Sequence, residues 1–164
     1  MAYNSYVSEP LSTADIRHIV KQFRKILGIE DELYVEVVKY LDILSLYDPL
    51  YDYIIVEDSE LPETVQGDTD VVNHTIRIKQ SVYDGACDGN GMDRMSIAHE
   101  IGHYILICVA GVKFALNTDK SGYVVTYKDP EWQATVFASE FLMPARLIKD
   151  MSPEIVSEKC GVTM

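Results

Sequence analysis

The segment His99-Glu100-Ile101-Gly102-His103 sets two imidazoles four residues apart, with a carboxylate directly after the first. On an α-helix, residues i and i+4 lie one turn apart on the same face. Both rings can then meet a single Zn²⁺ at about 2.0–2.1 Å. Glu100 sits where it can reach a water held by that ion without itself becoming a ligand. H-E-x-x-H on a helix is the arrangement used for zinc-assisted peptide hydrolysis. The flanking residues, Ser96-Ile97-Ala98 and Tyr104-Ile105-Leu106-Ile107, are largely apolar, so the helix is expected to be buried. Burying two imidazoles and a carboxylate without partners costs on the order of several kcal/mol, a cost that a metal removes and a plain core does not.

A catalytic zinc takes a third protein ligand and keeps one position open. The other two histidines, His18 and His74, lie upstream without ligand-like spacing, and His74 follows Asn73 in a turn-like dipeptide. No H-x-x-G-x-x-H continuation extends the motif downstream. The acidic residues after it include Asp119, Asp129, Glu131, Glu140 and Asp150. Of these, Glu131 sits one turn before Ala134 and Thr135, on the inward edge of a helix whose apolar positions are Ala134, Phe137, Ala138 and Phe141. The expected ligand set is therefore His99, His103 and Glu131, with Glu100 as the catalytic base. An oxyanion needs a further donor, for which Tyr104, Tyr123 and Tyr127 are candidates among eleven tyrosines.

The elements that must position these groups follow from periodicity and punctuation. Ser12 and Asp15 form a capping-box variant ahead of Ile16, Ile19, Val20, Phe23, Ile26 and Leu27, and Gly28 stops that helix. A second helix is expected over about Leu33–Leu46. Tyr53–Val56 is expected as a strand, and Val71-Val72 and Thr75–Ile78 as two strands joined through Asn73-His74. Gly85, Gly89 and Gly91 should break the chain before the motif helix, about Met92 to Val109. The polar stretch Gly111–Lys128 has the character of an active-site loop. Asp129-Pro130 opens the next helix, to about Met143, and shorter helical pieces end at Lys149 and Lys159. Helices, a few strands, then helices again indicate an α+β fold.

The run Ser96–His103, followed by Glu131-Trp132-Gln133-Ala134-Thr135-Val136-Phe137-Ala138-Ser139-Glu140-Phe141-Leu142-Met143-Pro144, resembles the ImmA/IrrE metallopeptidase family. That family pairs an A-H-E-x-G-H helix with an E-x-[EQ]-A-N-x-F-A-x-x-L-L-M-P segment. Thr135 stands where it usually has Asn. The resemblance is dense from about Thr75 to Pro144. It implies a compact zincin-like domain with the H-E-x-x-H on a central helix, and a zinc endopeptidase that inactivates a DNA-binding helix-turn-helix repressor in phage, mobile-element or stress regulation. The other reading open at this point is a metal-containing regulator that binds a repressor without cleaving it.

Composition narrows the field further. A chain of 164 residues, 48% apolar, is expected to form one domain spanning residues 1–164. It carries 14 basic against 26 acidic residues, a net charge of −12. Phosphate neutralisation needs a basic stripe, so neither direct nucleic-acid binding nor an anionic membrane surface is expected. The three cysteines, Cys87, Cys108 and Cys160, are expected as small buried thiols in a reducing compartment. With no apolar run of membrane-spanning length and no basic-apolar leader, a cytoplasmic location is expected.

Overall fold

A computed structural model describes residues 2–3 and 6–164. Two short strands, β1 (Ala2–Tyr3) and β2 (Tyr6–Ser8), precede α1 (Thr13–Leu27). The capping box forms as expected: Ser12 Oγ accepts from the Asp15 amide at 3.0 Å, and the Asp15 carboxylate accepts from the Ser12 amide at 2.8 Å. Ile16, Val20 and Phe23 face the core, and Gly28 ends the helix.

The helix expected over Leu33–Leu46 contracts to α2 (Lys39–Ile43) and one 3₁₀ turn (Leu44–Leu46). Upstream, Val35 and Val37 are buried on either side of exposed Glu36, a period of two in place of a helical one. β-Branched valines are weak helix formers. The Val35 carbonyl is also committed elsewhere, accepting from Arg94 Nη1 at 2.8 Å.

Of the expected pair of strands, Thr75–Ile78 forms in place, whereas its partner lies ahead of Val71-Val72. β3 (Asp52–Val56) lies parallel to β5 (Thr75–Lys79), and β4 (Gly67–Asp70) runs antiparallel on β5's other side. Val71–His74 form the turn, not a strand. The reason is local: Asp70 Oδ1 accepts from the amides of Val72 and Asn73, at 3.1 and 3.0 Å, so the chain reverses before the valines can pair. His74 completes the turn at φ 53°.

From β5 the chain enters α3 (Gln80–Cys87), a helix not anticipated from the sequence. Gly85 lies inside it, where the Asp93 side chain packs too closely to admit a Cβ. Next come α4 (Gly91–Tyr104) and a π-helical turn (Ile105–Val109), together covering the expected motif helix. The stretch 111–128 carries two short strands, β6 (Phe114–Leu116) and β7 (Tyr123–Val124), which pair antiparallel with β2 and β1. The chain closes with α5 (Pro130–Leu142), α6 (Ala145–Ile148) and α7 (Pro153–Cys160).

Helix α4 is central. Ile97 and Ile101 are fully buried, as are Ile76 and Ile78 of the sheet and Phe137 and Phe141 of α5, all in one core. Two arginines are buried with them, and each donates to several backbone carbonyls. Arg94 donates to Val35, Cys160 and Gly161 while lying 4.1 Å from the centroid of the Tyr34 ring. Arg24 donates to the carbonyls of Ile29, Glu32 and Phe141. Two of Arg94's acceptors end α7, where unpaired carbonyls and the helix dipole both favour positive charge. Cys160 is buried and Cys108 half-buried, but Cys87 is exposed at the end of α3, contrary to expectation. Among the described residues, no helix is long and apolar enough to cross a membrane.

The α4–α5 contact is tight at Gly102. A Cβ there would lie 3.0 Å from Phe137 Cδ1 and 3.1 Å from the Ala134 carbonyl oxygen. One of those neighbours is backbone, so Gly102→Ala must part the two helices by a few tenths of an ångström. Chemical denaturation should show it less stable than the parent by about 1–3 kcal/mol.

Candidate metal centre

Helix α4 puts His99 and His103 on the face turned toward α5, their ring centroids 4.8 Å apart and nearly perpendicular. Helix α5 brings the third group. Asp129 caps it, accepting from the Glu131 amide at 3.0 Å, and Pro130 supplies a first-turn residue whose missing N–H is no loss. Glu131 is thereby held in the first turn, with Oε2 2.8 Å from His99 Nε2 and Oε1 3.2 Å from His103 Nε2. The carboxylate stands at the rim of a cleft, with 57% of its side chain exposed, more open than an inward-edge position suggests.

Thr135, one turn after Glu131, decides the state of His99. Its hydroxyl donates to the Glu131 carbonyl at 2.9 Å and lies 3.2 Å from His99 Nδ1. A hydroxyl has one proton to give, and that carbonyl can only accept. With that proton given to the carbonyl, Thr135 accepts from His99 Nδ1–H, and Nε2 faces the Glu131 carboxylate either as a second N–H or as a lone pair. Two lone pairs do not hold together at 2.8 Å unless a cation stands between them: a second proton on the ring, or a metal ion. One donor atom each from His99, His103 and Glu131 fall within 4.8 Å of one another, so the cluster could hold a metal. Ligand atoms around a tetrahedral zinc are about 3.4 Å apart, so closing the site takes only small side-chain movements.

The electrostatics agree with a cation-binding triad. Hydrogen bonds from His103 and then His99 hold the Glu131 carboxyl far below the usual carboxylate range. Burial pulls the His103 pKa down, but its bond to Glu131 and the charge of Glu100 outweigh that and keep it raised. Glu100 is 8% exposed, and burial pushes its pKa up against the opposing pull of both histidines. Its Oε1 accepts from Thr69 Oγ1 of β4 at 3.0 Å.

Nothing near Glu100 in the sequence points to Thr69, which lies 31 residues away. The signal that could have found it is Gly67. A Cβ there would sit 2.7 Å from the Arg77 carbonyl and 3.3 Å from Glu100 Cγ, so a glycine in that strand marks close approach of β4 to the motif helix.

The cleft has a volume of about 750 Å³. Its floor is α4, with β4 and the turn after it on one side and the start of α5 on the other. None of the three tyrosines expected as oxyanion donors lines it. Tyr104 follows His103 by one residue, about 100° around the helix. Its ring is wholly buried on the far side, and its hydroxyl donates to Asp48, which also meets His74 Nδ1 at 2.6 Å. Tyr123 and Tyr127 lie outside the cleft wall, whose one tyrosine among the described residues is Tyr6. From the stretch 111–128 it is Phe114 that reaches the cleft.

The Thr135 bond has a measurable consequence. Thr135→Val keeps the shape of the side chain but leaves His99 free to turn, so metal affinity should fall about 10- to 100-fold in a chelator competition. Thr135→Ser, which keeps the hydroxyl, should restore most of it.

No curated protein matches the chain. A family model does, over residues 58–159, which takes in β4, the motif helix and all of α5. With the α+β architecture and the cluster of His99, His103 and Glu131 on the page, that match identifies the chain as a member of the M78 peptidases, the family of the IrrE N-terminal-like domain.

Proposed function

We propose that the chain is a zinc-dependent endopeptidase acting in the cytoplasm on a DNA-binding helix-turn-helix repressor, with residues 1–164 working as one domain around a motif core of about 75–144. The observation that carries this reading is the convergence of two Nε2 atoms and a carboxylate at an open cleft, with a buried glutamate beside them. In it His99, His103 and Glu131 hold the ion and Glu100 is the catalytic base. When bound, zinc supplies Lewis acidity toward water and the scissile carbonyl.

Glu100 accepts a proton from the attacking water and returns it to the leaving amide nitrogen as the C–N bond breaks. Its environment suits that exchange. Burial raises its proton affinity, and the Thr69 hydroxyl holds one oxygen so that the other can face the cleft. Glu131 and Thr135 keep both imidazoles directed at one point, so little reorganisation is needed when substrate arrives.

The choice of a repressor rests on the family and is compatible with charge. A net charge of −12 repels DNA, whereas a DNA-binding domain offers the basic face that an acidic surface attracts.

Three measurements test the reading. Glu131→Ala should lose most of the zinc found in the parent by elemental analysis. Glu100→Gln should keep the zinc and the fold, while cleavage of a repressor encoded beside the gene should fall by about 10²-fold or more. Chelation should abolish cleavage, and added zinc should restore it. If Glu100→Gln relieved repression in a reporter assay as well as the parent does, the non-hydrolytic regulator would replace the peptidase.

A further inference from the structure

One end of the cleft differs in chemistry from the rest. Ile107 stands one turn beyond His103 on the floor, within the π-helical turn. Val71 and Val72, at the tip of the β4–β5 turn, lie on one side. Tyr6 of β2 and Phe114 of β6 lie on the other, their rings packed edge to face with centroids 6.0 Å apart. Val72 is 75% exposed and Phe114 38%. Apolar surface is thus left in contact with water beside the metal ligands, where a monomer has no packing use for it.

The charge pattern points the same way. The residues lining the cleft include Asp68, Asp70, Glu100 and Glu131 but no lysine or arginine. At the Phe114 end an acidic side chain would find no cationic side chain to pair with. Along one wall β4 pairs only with β5 among the described residues, so its outer edge is open to an extended segment. On a strand, alternate side chains point the same way, so a segment lying along β4 would direct one of them into the Phe114 end.

Resting on the peptidase reading above, we propose that Phe114, with Tyr6, Val71, Val72 and Ile107, forms a specificity subsite that takes an uncharged apolar side chain next to the scissile bond. The occupant is an aliphatic residue of an extended polypeptide. The β2–β6 pair supplies Tyr6 and Phe114 to the subsite. The residue directly after β2 is tied to α5 by Gln133, whose Nε2 donates to the carbonyls of Glu9 and Tyr127 at 2.9 Å each.

The test uses zinc-loaded protein and three hydroxamates, read by calorimetric binding. Acetohydroxamate, which has only the chelating group, reports the metal site. A hydroxamate with an isobutyl side chain beside that group, and its carboxamidomethyl counterpart of similar size, report the subsite. The isobutyl compound should bind about tenfold or more tightly than the carboxamidomethyl one. Phe114→Ala should reduce that ratio to about threefold or less without changing acetohydroxamate binding, and Phe114→Leu should restore it. Phe114 is outside the buried core, so these variants should fold. Equal binding of the two side-chain compounds, or a ratio unmoved by Phe114→Ala, would overturn the subsite and leave the metal site standing. Failure of acetohydroxamate to bind would remove the metal site and the subsite with it.

Discussion

The site depends on how closely α5 can approach α4. Glu131 belongs to one helix and the histidines to the other, and a carboxylate has only two rotatable bonds before its headgroup with which to close the distance. The approach is possible because Gly102 offers no side chain, and Phe137 and the Ala134 carbonyl occupy the space a Cβ would take. Interiors are packed to crystal-like density, so such a contact transmits displacement instead of absorbing it. A shift of a few tenths of an ångström at Gly102 would reappear at Glu131, less than two turns along α5 from Phe137.

Around that contact, each functional group is held by a group that does no chemistry itself. Thr135 accepts a hydrogen bond from His99 Nδ1 and is tied in turn to the Glu131 carbonyl. Asp129 caps the helix that presents Glu131, and Thr69 holds Glu100. Thr135 can play this part although the family usually has Asn at that position, because the role needs an acceptor for Nδ1–H, and a hydroxyl serves as well as an amide oxygen. Threonine adds a second bond back to its own helix, so the acceptor is oriented by the backbone.

The acidic composition and the cleft serve different ends. Carboxylates line the cleft beside the cluster of His99, His103 and Glu131, while its Phe114 end offers apolar contact area that charge cannot. The walls come from short elements: a four-residue edge strand, the turn after it, and a three-stranded-sheet partner that leaves one edge free. Short edges are less prone to pair with other chains than long flat ones, which suits a strand whose open side faces a cleft.

Local information is what the sequence carried well. The i, i+4 histidine pair, the Ser12–Asp15 cap, the stop at Gly28 and the Asp129-Pro130 helix entry each depend on a few neighbouring residues and on fixed helical geometry. They could therefore be read directly, as could the placement of Glu131 in the first turn of α5. Where long-range contacts compete with local preference, the tertiary structure decided. The Val35 carbonyl went to Arg94, and with it the first half of the expected second helix was lost. Asp70 capped the turn and moved the strand ahead of Val71. The partnership of Thr69 with Glu100, that of Thr135 with His99 and the meeting of Tyr6 with Phe114 join residues 31, 36 and 108 positions apart. No periodicity encodes such contacts, because they exist only once packing has chosen which faces meet.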